Sequence, residues 1–201
     1  MKPVLRHCAV AALTALAALT AGAADLQRAE ELVQGRCFVC HGADGESSTP
    51  AFPRLAGQHA AYIARQLADY QSGRRRNAAM QSVVQDLSMA DLGALGLWFE
   101  SRPTHAHAVA EPGLAQAGRL VHEQGHVPTG LSACASCHGP ASQGTATLPR
   151  LAGQHAQYIE RQLRAFGRRE RSNDNAVMHA VALRLDEQQL KAVASYFSGL
   201  K

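Results

Sequence analysis

The chain has 201 residues, 46% hydrophobic and only 5% aromatic, with 20 Lys and Arg against 16 Asp and Glu. That length admits one or two small domains, and the arginines are spread among acids instead of forming a run, which argues against a nucleic-acid partner. With so few large side chains, small domains need something else to fill their cores.

Lys2, Arg6 and His7 precede an apolar stretch from Cys8 to about Ala21, followed by Ala21-Gly22-Ala23-Ala24. A basic region, an apolar segment and a small-residue cleavage site predict a cleaved secretory signal over residues 1–24. The apolar run is shorter than the roughly 20 residues of a membrane span. Cys8 lies before the run and not after it, unlike the cysteine of a lipoprotein. Cleavage removes Lys2, Arg6 and Cys8, so the net charge falls from +4 to +2 and four cysteines remain. Four cysteines in an exported chain ordinarily suggest two disulfides, but their spacing here points elsewhere.

A first unit is predicted over residues 25–101. It opens with a helix from Leu26 to Gln34, with Gly35 as its stop. Cys37-Phe38-Val39-Cys40-His41 follows, then a Gly/Pro/Ser-rich loop. A second helix starts near Gln58-His59 and carries Tyr62, Ile63, Gln66, Leu67 and Tyr70 at 3–4 spacing. Arg74, Arg75 and Arg76 lead into Asn77-Ala78-Ala79-Met80, and Ser88 with Asp91 three residues on caps a closing helix. Residues 102–111, within a segment holding two prolines and two histidines, form the predicted linker.

The second unit, 112–201, repeats this order. A helix from Leu114 to Gln124 leads to Cys134-Ala135-Ser136-Cys137-His138. PRLAGQHA at 53–60 recurs letter for letter at 149–156, and 13 of 15 residues match between Pro53–Leu67 and Pro149–Leu163 at an offset of 96. Tyr158, Ile159, Gln162, Leu163 and Phe166 repeat the helical face. Arg168, Arg169 and Arg171 precede Asn175-Ala176-Val177-Met178, and Asp186 with Gln189 caps the last helix. No strand pattern of useful length occurs, so the fold class is all-α, as two tandem domains.

Three chemistries compete for C-x-x-C-H. A thioredoxin-like site belongs beside a βαβ pattern, which is absent. A zinc site would need tetrahedral geometry, which two cysteines and an adjoining histidine on one turn supply poorly. Covalent haem attachment uses every letter: Cys37 and Cys40, and Cys134 and Cys137, form thioethers, while His41 and His138 face the iron. For the sixth ligand, Met80 lies 39 residues after His41 and Met178 lies 40 after His138, in equivalent segments. Met89 aligns with Glu187 and is expected to pack in the closing helix. His59 and His155 are expected at helix starts or on the surface, and His105, His107, His122, His126 and His179 in solvent. Methionine ligation favours ferrous iron and fills the site, which speaks against a dihaem peroxidase needing a releasable sixth position.

CFVCHGADG, CASCHGP, both PRLAGQHxxYIxRQL blocks, both methionine segments and both closing helices resemble the dihaem cytochrome c4 family across nearly the whole mature chain. The resemblance implies two tandem cytochrome c domains related by an approximate twofold axis, with axial pairs His41/Met80 and His138/Met178 and two covalently attached haem c groups. It also implies that the carbonyls of Pro53 and Pro149 hold the second ring nitrogen of each axial histidine. Tyr62, Gln66, Tyr158, Gln162 and one arginine of each cluster are candidates for propionate contact. Four propionates would bring the mature charge to −2 with both irons reduced and to about 0 oxidised.

The expected function is therefore that of a periplasmic electron carrier and not an enzyme. It would take electrons from a quinol-oxidising complex or a dehydrogenase and feed a terminal oxidase, with peripheral membrane association open and no small-molecule substrate. The alternative is a dihaem subunit of a dehydrogenase complex, such as a sulfide-oxidising flavocytochrome c.

Overall fold

The computed structural model describes residues 25–201; the expected signal segment, 1–24, lies outside them. Among the described residues no strand forms, and the sole bridge pairs His126 with Leu131. Helix α1 covers residues 25–41 and contains a π-helical turn, Val33–Cys37, before its last turn, Phe38–His41. It is followed by α2 (Ala60–Gln71), α3 (Ala78–Val84) and α4 (Met89–Glu100). The second half contains α5 (Pro112–Gln124), α6 (Ala135–His138), α7 (Ala156–Gly167), α8 (Val177–Ala182) and α9 (Glu187–Ser198).

Gly35 does not stop the first helix. It sits inside the π-turn, whose extra residue the helix absorbs, and the stop falls at Gly42, whose φ of 81° favours glycine. Ala29, Leu32 and Val33 therefore still face the core, while Cys37, Cys40 and His41 turn toward a cavity. Both expected capping boxes form, Ser88 with Asp91 and Asp186 with Gln189.

Each half has its own core. Leu32, Val33, Ile63, Leu92, Leu95, Trp98 and Phe99 pack together in the first, and Ile159, Leu163, Leu190, Val193 and Phe197 in the second. The first and last helices of each half cross closely. In the second half Gly118 of α5 lies so near α9 that a Cβ there would sit 2.0 Å from the Ala192 carbonyl oxygen. In the first half Trp98 of α4 donates to Glu30 of α1 at 2.5 Å.

The halves meet through the repeated octapeptide, in reciprocal pairs. Gln58 donates to the Arg150 carbonyl and accepts from its amide, both at 2.9 Å. Gln154 does the same to Arg54, at 2.9 and 3.0 Å. His59 Nε2 bonds the Gln143 carbonyl at 2.8 Å and His155 Nε2 the Ser47 carbonyl at 2.9 Å. Farther out, Arg65 reaches the Thr147 carbonyl and Arg161 the Ala51 carbonyl. When residue i meets j′ and i′ meets j, the surface is self-complementary about a local twofold axis.

Three expectations are corrected here. Met89 is 73% exposed, because the first turn of α4 presents it to solvent instead of the core. His122, expected in solvent, is fully buried beside Tyr196 and Phe197, with Nε2 bonded to the Pro140 carbonyl at 3.2 Å. His107 is drawn in by Glu46, whose carboxylate lies 3.1 Å from Nε2.

Candidate haem sites

A cavity of about 1050 Å3 runs through both halves and opens onto Cys37, Cys40, His41 and Met80 on one side and Cys134, Cys137, His138 and Met178 on the other. Each set comes from three places in its half. The CxxCH turn supplies the cysteines and histidine, the prolyl loop after it supports the histidine, and α3 or α8 carries the methionine.

The two histidines are oriented identically. His41 Nδ1 lies 2.9 Å from the Pro53 carbonyl oxygen, and His138 Nδ1 lies 3.0 Å from that of Pro149. A carbonyl can only accept, so Nδ1 carries the proton and Nε2 keeps its lone pair for a metal. Burial holds both imidazoles below the usual histidine range, against the opposing pull of the prolyl carbonyls. A neutral imidazole is the ligating form.

Among the described residues no disulfide joins the cysteines, and Cys37, Cys40, Cys134 and Cys137 all line the cavity. Burial pushes Cys37 and Cys134 up to about 11. A redox-active CxxC site depends on the opposite shift, toward thiolate near neutral pH, so disulfide exchange is not what these pairs are built for.

Met80 and Met178 are partly buried, each packed against the core of its half. Asn77 caps the first methionine segment, its side-chain oxygen accepting from the Met80 amide at 3.0 Å. Asp174 does the corresponding work in the second, accepting from the amides of Met178 and His179. The rival ligands lie elsewhere: His59 and His155 are engaged across the seam, and His179 Nδ1 bonds the Phe166 carbonyl at 2.9 Å.

At the centre of the cavity sit two buried arginines, one from each cluster. Arg75 is 8% and Arg171 9% exposed, while Arg74, Arg76, Arg168 and Arg169 are exposed, Arg74 with its Nε turned back to Asp69. Arg75 donates to Gln66, to Tyr158 Oη at 2.9 Å and to Gln162; Arg171 donates to Gln162, to Tyr62 Oη at 3.0 Å and to Gln66. Burial pushes the Tyr62 phenol up, but Arg171 and Arg75 more than offset it and hold it below the usual range. The partners of both buried guanidinium groups here are uncharged amides and phenols, and neither group pairs with a carboxylate. Buried charge without a counter-ion is costly. The site therefore fits a ligand that is apolar in body and acidic at one edge, as haem is.

The cross-unit role of Gln58, His59, Gln154 and His155 was missed from sequence, where they read as helix starts. The signal was present in the letter-for-letter repeat, because a surface that must complement itself about a twofold axis constrains both copies alike.

An all-α chain with two CxxCH turns facing one largely apolar cavity, each with a neutral histidine held by a carbonyl and a methionine on the same cavity wall, is a c-type cytochrome with two haem domains. The Cytochrome c family profile matches residues 26–94 and 129–201. Cytochrome c4 of Thiocapsa roseopersicina is 39% identical over 180 residues, 88% of this chain and 93% of that protein. The crystal structure of reduced recombinant cytochrome c4 from Pseudomonas stutzeri superposes with a TM-score of 0.81 at 34% identity, covering 87% of this chain and 98% of that one. A thiosulfate dehydrogenase electron acceptor from Thiomonas intermedia is 38% identical over 167 residues, 81% of this chain and 77% of that protein. The chain belongs to the cytochrome c4 family: it is a dihaem electron-transfer protein with covalently bound haem c in each domain, and not an enzyme.

Proposed function

We propose that Cys37 and Cys40, and Cys134 and Cys137, carry the thioethers, and that His41/Met80 and His138/Met178 are the axial pairs, in domains spanning 25–101 and 112–201 joined by 102–111. The observation that supports this most is the matched pair of histidines with Nδ1 committed to Pro53 and Pro149. Bound haem supplies a one-electron iron couple, which methionine ligation keeps at high potential. The chain's own residues hold each imidazole in one tautomer, exclude water with apolar walls and, through Arg75 and Arg171, receive the propionates.

The protein then carries electrons singly between redox proteins in the periplasm, with a terminal oxidase as acceptor and a quinol-oxidising complex or a dehydrogenase as donor. Among the described residues no helix is long and apolar enough to cross a membrane. The similarity to a thiosulfate dehydrogenase electron acceptor favours a dehydrogenase as donor. Purification from the native host tests this reading. A free protein reducible by a dehydrogenase fraction supports it, whereas a stoichiometric flavoprotein partner would assign the chain to a permanent complex.

A further inference from the structure

In an otherwise matched pair of sites, one buried charge has no counterpart. Asp69 of α2 lines the haem cavity and is 3% exposed. The offset that aligns the repeats puts Ala165 of α7 in its place. The Asp69 carboxylate accepts from Arg74 Nε at 2.7 Å and, across the domain boundary, from Asn173 Nδ2 at 2.6 Å. Neither partner fully offsets its charge at the cavity. Asn173 is neutral, and the Arg74 side chain is 64% exposed, so solvent screens the guanidinium far more than the carboxylate. The buried arginines Arg75 and Arg171 occur once in each domain and do not distinguish the sites. Asp174 of the second domain is half-buried and is committed to the amides of its own methionine turn.

We propose that Asp69 is a potential-setting residue, which stabilises the ferric state of the first domain's haem and biases a single electron toward the second domain. The inference rests on the haem assignment above. A ferric centre carries one more positive charge than a ferrous one, so a fixed negative charge in a low-dielectric site favours it and lowers the potential. The step so biased is transfer of one electron from ferrous iron in the first domain to ferric iron in the second. No bond forms or breaks and no proton moves. The duplication thus yields two carriers of one design that differ in where an electron rests.

The test is a spectroelectrochemical titration of the haem-loaded protein, of Asp69→Asn and of Ala165→Asp. The couples are assigned by repeating each titration with Met178→Ala, which displaces that of the second domain. Asp69→Asn is expected to raise the first domain's couple and to shift the electron distribution about tenfold toward it, equivalent to 59 mV for a one-electron couple. Ala165→Asp is expected to lower the second domain's couple and shift the distribution the same way. Couples that stay unmoved in both variants, or that move equally on Asp69→Asn, overturn the proposal. The weak methionine–iron band provides the separate check. Its absence from the unsubstituted protein would overturn the ligand assignment, whereas an intact band with unmoved couples overturns only the role of Asp69.

Discussion

Met80 and Met178 occupy equivalent positions in the two halves but are held by different caps, a neutral Asn77 and an anionic Asp174. Because each methionine packs against the core of its own half, removal of one thioether should be felt at one haem. Met80→Ala is expected to open the first domain's haem to carbon monoxide and to lower its potential, leaving the second near normal. A carbon monoxide difference spectrum checks this, and an unchanged spectrum would refute the ligand. The place of both methionines on the cavity was legible from their spacing, and the carbonyl support at Pro53 and Pro149 from the family resemblance. Asp69 was not singled out, since one acid on an amphipathic helix carries no signal until its burial and its contact with Asn173 are seen.

At the scale of elements, the helix starts were the easiest part to read, because capping boxes are written in four consecutive residues. The Ser88 hydroxyl and amide, and Arg28, hold the Asp91 carboxyl below the usual carboxylate range. A depressed folded value means that this stabilisation is fully present above about pH 4 and is lost as pH falls through the lower folded value. Ser88→Ala should cost about 1 kcal/mol at pH 7 and less at pH 3, by chemical denaturation. The end of α1 was harder. Glycine in a helix costs only about 1 kcal/mol relative to alanine, so Gly35 is tolerated, and packing of Leu32 and Val33 in the core outweighs the local preference. The seam could not be placed from one half at a time. Gln58 and Gln154 together make four hydrogen bonds across it while 7% exposed. Truncating either leaves a buried amide and carbonyl unpaired, at about 1–3 kcal/mol for each group left unsatisfied. Gln58→Ala with Gln154→Ala is therefore expected to separate the unfolding of the two domains into distinct transitions. A single cooperative transition, unshifted, would show that the seam does not couple them.

For the molecule as a whole, a near-neutral total conceals an uneven distribution. Residues 25–101 carry 7 Arg against 9 acids, whereas 112–201 carry 10 Lys and Arg against 6 acids. Two propionates per haem shift both halves equally, so the difference persists in the loaded protein. A basic partner should therefore engage the first domain and an acidic partner the second, and both electron-transfer rates should fall as salt rises. Stopped-flow reduction at graded ionic strength measures this, and rates independent of salt would contradict it. Small domains with separate cores and few aromatic side chains also depend on the haem for packing. Cys134→Ala with Cys137→Ala is expected to leave the second domain largely unfolded while the first keeps its haem, as circular dichroism and haem content would show.

We infer that the duplicated chain builds two histidine–methionine haem sites of one design around one shared cavity. A redox-resolved visible spectrum of the purified protein, with its haem content determined, tests it most directly. Two covalently bound haems per chain and the weak methionine–iron band from both oxidised centres are expected. One haem per chain, or a band from only one centre, would contradict it.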